Sequence, residues 1–106
     1  MTFTINNETY TAKDFTFNSL CDFEDMGIDF ADAIAHKPRI ALRAYLAYCA
    51  GVSIDESGKM IETHIINGGD MNEINKALSE TLENSDFFKA LIAKAKAAME
   101  TEETVA

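Results

Sequence analysis

Apolar and polar residues alternate at the very start of the chain. Phe3 and Ile5 interleave with Thr2 and Thr4, and Thr9-Tyr10-Thr11 answers them across Asn6-Asn7-Glu8. Asparagine tolerates the positive φ that tight hairpin turns require, so this spacing predicts two short antiparallel strands. A third extended piece is expected at Phe15-Thr16-Phe17, which would make the hairpin a three-stranded meander. The period then becomes helical. Leu20, Phe23 and Met26 recur three apart behind Asn18, the expected N-cap. Gly27 stands where a left-handed C′ residue is wanted, and Ile28 falls where a Schellman stop brings it against Phe23.

Successive helices follow, each with its own punctuation. Asp29 is placed to cap a brief helix through Ile34, ending before Pro38. Proline disfavours helical geometry at Lys37 but suits the first turn of the next helix. That helix, Pro38 to Ala50, is the most apolar in the chain, through Ile40, Leu42, Tyr45, Leu46, Tyr48 and Cys49. Only Arg39 and Arg43 interrupt it, on one stripe at i, i+4, and Gly51 ends it. A helix apolar nearly all round belongs at the centre of a bundle. Ser53 with Glu56 has the form of a capping box, opening a helix to about Ile66 with Met60, Ile61 and Ile65 on its inner side. Gly58 weakens its first turns by about 1 kcal/mol relative to alanine. Asn67-Gly68-Gly69 is a stop, and Asp70 with Glu73 has the form of a second capping box, before a stripe of Ile74, Leu78 and Leu82. Ser85 opens the last helix, whose Phe87, Phe88, Leu91, Ile92, Ala95 and Met99 face the core or a partner.

These elements predict one α+β, mostly α domain over residues 1–100. A small N-terminal hairpin or meander packs on a bundle of four to five short helices, and residues 101–106 read as a loose acidic tail.

The N-terminal third resembles the start of the tail assembly chaperones of long-tailed, siphovirus-type bacteriophages and prophages. The likeness lies in Ile5-Asn6-Asn7-Glu8-Thr9-Tyr10, then Phe15-Thr16-Phe17-Asn18-Ser19-Leu20-Cys21-Asp22-Phe23-Glu24, and the Gly27-Ile28-Asp29 turn. It is carried by apolar spacing and turns, and the family is likewise small, acidic and mostly helical. The resemblance implies a non-enzymatic protein that binds the tape measure protein and keeps it soluble during tail assembly, in the cytoplasm of the bacterial host. It also implies a frameshifted longer form with an extra C-terminal domain, of which this chain would be the short counterpart.

Charge changes the picture mainly by exclusion. Eighteen acids against nine bases give a net charge of −9, which argues against a nucleic-acid footprint built on a basic face. Lys37, Arg39 and Arg43 form the one acid-free basic patch before the last helix. No run approaches the roughly 20 apolar residues of a membrane span, and no basic-then-apolar leader opens the chain. Cys21 and Cys49 read as small buried thiols, not a disulfide.

Candidate chemistry is sparse, and no cofactor or metal is expected. His36 and His64 have no paired-His or CxxC neighbours; His36 suits a helix C-terminus, and His64 reads as a partly buried packing residue. Asp70-Met71-Asn72-Glu73-Ile74-Asn75 opens like a calcium loop, but Lys76 stands where glycine is needed and Thr81 where glutamate is needed. Gly68-Gly69 before a helix could cradle a phosphate, yet Asp70 occupies the anion position. Asp22, Glu24 and Asp25 read as a solvated helix face.

Phe87, Phe88, Leu91 and Ile92 are therefore the candidate partner-binding residues, with the tape measure protein or a second copy of this chain as the partner. Adjacent phenylalanines point about 100° apart on a helix, so one of the pair could face the core and the other a partner. The alternative function is a small acidic inhibitor or DNA mimic occupying a nucleic-acid-binding protein. That reading needs acids on one face at phosphate-like spacing, whereas most here sit at helix starts.

Overall fold

A computed structural model describes residues 1–94 and gives an α+β, mostly helical protein. Strands β1 (Thr2–Ile5) and β2 (Glu8–Thr11) pair antiparallel, with Phe3 opposite Tyr10 and Ile5 opposite Glu8. The turn is Asn6-Asn7 alone, at φ 54° and 66°, the two-residue turn whose twist suits a hairpin. Glu8 thus belongs to the strand. Phe3 and Ile5 are buried, and Phe3 stacks on Tyr10 at 5.8 Å between ring centroids.

The third strand does not form. Residues 12–16 are an irregular linker, and Phe17 is already helical in α1 (Phe17–Asp25). The N-cap is Thr16, not Asn18. Its hydroxyl accepts from the Ser19 amide at 3.2 Å while its own amide donates to Ser19 Oγ at 3.2 Å. This is a reciprocal capping box with serine in place of the usual Glu or Gln, which hid it in the sequence. The helix stops as expected. Gly27 takes φ 84°, and the Ile28 amide reaches back to the Phe23 carbonyl at 2.9 Å, closing a Schellman turn.

Helix α2 (Phe30–His36) runs two residues past the expected end, its N-cap Asp29 accepting from the Asp32 amide. Helix α3 (Pro38–Ala50) is the centre of the fold: Ala41, Leu42, Ala44, Tyr45, Leu46 and Ala47 are buried, and α1, α2, α4, α5 and β2 all pack on it. Helix α4 (Ile54–Ile66) starts at Ser53, whose hydroxyl accepts from the Glu56 amide. Its inner face is the expected one at Met60 and Ile61, which pack against the core, but not at Ile65. Ser57 is its buried residue, donating to the Arg43 carbonyl at 2.7 Å, while Met60 and Ile61 are half-buried and Ile65 is 52% exposed. Ser57 meets α3 at the Arg43 carbonyl, whereas Ile65, further along α4, lines an open groove between the two helices.

Helix α5 (Asn72–Glu83) lays Ile74, Ala77, Leu78 and Leu82 against β1 and α3. The Asp70–Glu73 capping box is not formed. Met71 is the N-cap without a side-chain bond, and Asp70 instead accepts from the Asn72 amide at 2.9 Å. A sixth helix, α6, covers residues 86–94 and is capped by Ser85 through the Phe88 amide. Ala95, Met99 and the expected tail over 101–106 lie outside the described residues.

Tyr45 anchors the centre. Its hydroxyl donates to the Lys13 carbonyl at 3.2 Å and accepts from Thr81 at 3.1 Å. Burial is the main cause that raises its pKa well above the ordinary 10.0. A raised folded-state pKa means stability is intact below the unfolded value and lost as pH rises past it, because there only the unfolded chain releases the proton. Tyr45→Phe, which leaves the Lys13 carbonyl without its donor, should cost about 1–3 kcal/mol at neutral pH, and thermal scans should show the Tm of the parent falling above pH ~10 more steeply than that of the variant. Leu46→Ala, at a fully buried position, should cost about 2–5 kcal/mol in denaturant titration; a loss below about 1 kcal/mol would place the helix at the surface.

Candidate functional site

The linker explains how the last helix is held. Three successive carbonyls are each taken by a side-chain hydroxyl: Lys13 by Tyr45, Asp14 by Ser19 at 3.1 Å, and Phe15 by Ser85 at 2.8 Å. Outside any ladder, backbone that enters the core, as at Phe15, must find its partners among side chains. It fixes Phe15, only 4% exposed, as the hub of an aromatic cluster. Its ring lies 5.4 Å from Phe30, 5.8 Å from Phe87 and 5.4 Å, edge-on, from Phe88.

The candidate partner residues divide accordingly. Phe87 and Phe88 are both half-buried and both touch Phe15, so neither is wholly committed to the surface. Phe17 lies edge-on to Phe87 at 5.9 Å and is 62% exposed, extending the aromatic surface outward. Phe88 and Ile92 line an apolar groove of about 620 Å³ with Leu82 and Ala93, flanked by Glu83 and Lys89. Leu91 is half-buried and does not line that groove.

A second groove, which the sequence reading did not single out, runs between α3 and α4. It has a volume of about 510 Å³ and is lined by Ile40, Leu42, Ile61, Ile65 and the side chains of Arg39 and Arg43. Nε of Arg43 is buried there without an acceptor, and neither arginine has an ion-pair partner among the described residues. Ile65 and its neighbour Ile66, 74% exposed, continue the apolar surface. The available signal was the Arg39/Arg43 stripe in an otherwise apolar helix.

His64 has structural work that its sequence neighbours did not reveal. Its Nδ1 accepts the Asn6 amide at 3.1 Å, which leaves Nε2 to donate to the Asp70 carbonyl at 2.9 Å. Asn6 also donates through Nδ2 to the Met60 carbonyl at 3.0 Å. The ring thus ties the hairpin turn to α4 and to the loop before α5, beside a polar cleft of about 450 Å³. The Gly68 and Gly69 amides are both spent in the helix stop, on the Ile65 and His64 carbonyls at 3.0 and 2.8 Å, so they offer nothing to a phosphate. His36 instead pairs with Asp32 at 3.0 Å on an exposed helix face.

Cys49 accepts the Lys13 amide at 3.5 Å, and burial is the main cause raising its pKa. A raised thiol is a poor nucleophile at neutral pH. Both cysteines are free and partly buried. Among the described residues no three or more His, Cys, Asp or Glu side chains are placed so that they could hold a metal ion, and no helix is long and apolar enough to cross a membrane. Comparison of the chain with protein-family models, with curated proteins and with solved structures gave no match.

The imidazole of His64 lies so close over Gly69 that any Cβ there would run into the ring. Gly69→Ala should therefore cost about 1–3 kcal/mol, measured by denaturant titration. In a His64→Ala background the same change should cost less than about 1 kcal/mol, since the coupled pair is non-additive. Equal costs in both backgrounds would show that the ring does not set the requirement.

Proposed function

We propose that this protein is a tail assembly chaperone of a siphovirus-type bacteriophage or prophage, binding the tape measure protein and keeping it soluble in the host cytoplasm. It acts by contact and catalyses no reaction. The observation that carries the reading is the apolar groove along α6, in a chain of net charge −9. A holder of a long apolar client needs an accessible apolar seat bounded by charge that keeps the complex in solution. Leu82, Phe88, Ile92 and Ala93 offer the seat, with Glu83 and Lys89 at its margin. The N-terminal likeness to the tail chaperones supplies the identity of the client. A frameshifted longer form would share residues 1–94 and the same groove.

The test is co-expression with the tape measure protein encoded in the same tail gene cluster, reading the soluble fraction of that client. The parent chain should raise it, and Ile92→Glu, which sets a charge in the apolar groove, should weaken capture at least about tenfold. Circular dichroism should show the fold of the variant unchanged. A client whose solubility is indifferent to the parent chain would overturn the assignment; a variant that folds and holds the client as before would move the seat elsewhere.

A further inference from the structure

We propose that the groove between α3 and α4 is a docking site for an acidic amphipathic helix of another protein. Its lining sets both halves of that chemistry. Ile40, Leu42, Ile61, Ile65 and Met71 make it apolar, and its charged members are Arg39 and Arg43, with no acid among the described residues that line it. Two bases without an acid is an unusual lining in a chain of eighteen acids and nine bases. Neither arginine has an ion-pair partner among the described residues, whereas the neighbouring Lys37 lies 3.9 Å from Asp32. The helix itself gives no reason for a cation at position 39. Pro38 begins α3, so Arg39 stands exposed in the first turn, where the helix dipole favours an acid.

Charge complementarity selects the occupant. Arg39 and Arg43 are one turn apart on α3, about 6 Å along its axis, which is the spacing of carboxylates at i and i+4 on a partner helix. Guanidinium groups suit carboxylates because their planar fork can donate two parallel hydrogen bonds. Apolar side chains on the same face of that helix would cover Ile61 and Ile65, the latter 52% exposed in the single chain, and would keep water from the ion pairs. A nucleic acid fits less well. Its backbone brings no apolar surface to this lining and many phosphates for a chain of net charge −9 to repel.

The proposal goes beyond the chaperone reading and is independent of it, because its test uses designed peptides. The nitrogen-labelled full chain is titrated, by nuclear magnetic resonance, with a terminally blocked helical peptide bearing leucines and glutamates on one face. A second peptide has lysine in place of each glutamate. The acidic peptide should shift the amide signals of Gly58, Ile61 and Ile65 saturably and bind at least about tenfold more tightly than the basic one. Arg39→Glu changes an exposed position, so the fold, checked by circular dichroism, should persist while the preference disappears or reverses. Ile65→Ser should weaken both peptides, and Ile92→Glu, on the other groove, should change neither. Absence of a saturable shift at millimolar peptide overturns the site. So does equal affinity for the two peptides, a preference that survives Arg39→Glu, or shifts that gather on Phe88 and Ile92. Signals of the α3–α4 groove that move on dilution of the chain alone would show a second copy seated there, and would overturn it too.

Discussion

Three consecutive peptide carbonyls, of Lys13, Asp14 and Phe15, tie the linker after the hairpin to α1, α3 and the head of α6. Each is taken by a hydroxyl from a different helix: Tyr45 on α3, Ser19 on α1, and Ser85 at the head of α6. Phe15 is the buried residue of this irregular linker, and its carbonyl would be a buried acceptor without Ser85. Because the linker is pinned, Phe15 can enter the core and gather the rings of Phe30, Phe87 and Phe88. The hairpin, the central helix and the last helix therefore depend on one short strip of chain. Bonds of this kind are each worth only about 1 kcal/mol net, but breaking one leaves a buried acceptor unpaired, which costs more.

A second tie works in the same way on the other side of the hairpin. His64 bridges the Asn6 amide and the Asp70 carbonyl, and glycine at position 69 leaves room for its ring. Polar groups thus specify how the parts meet, while aliphatic and aromatic burial supplies the driving force. The serines make the point clearly: Ser19, Ser57 and Ser85 are buried, and each donates to a backbone carbonyl at a junction between elements.

What the core leaves at the surface bears on function. The α6 groove and the α3–α4 groove are apolar surfaces in a strongly acidic chain, and no metal-ligating cluster is assembled among the described residues. Such surfaces suit recognition of other polypeptides by burial, with charge at the rims choosing partners and preserving solubility.

The sequence alone determined the secondary structure to within a few residues and the class of the fold. Alternation at Phe3 and Ile5, the paired asparagines, Pro38 and the glycine stops are local signals, and each acts within one turn or one strand pair. It also marked α3 as the central helix, since Arg39 and Arg43 are the only charged residues in an otherwise apolar stretch and leave just one narrow stripe to turn to water. Its errors lay where local rules compete. Phe15-Thr16-Phe17 alternates like a strand, but the serine capping box begins a helix inside it. Ile65 fits an inward stripe by spacing, yet only Met60 and Ile61 of that stripe pack against the core, and Ile65 stays 52% exposed. Phe87 and Phe88 could not be assigned to core or surface until Phe15, far away in the sequence, was seen to touch both. Only the tertiary structure decided these matters, because which side of a helix is buried depends on what distant chain segments bring to it.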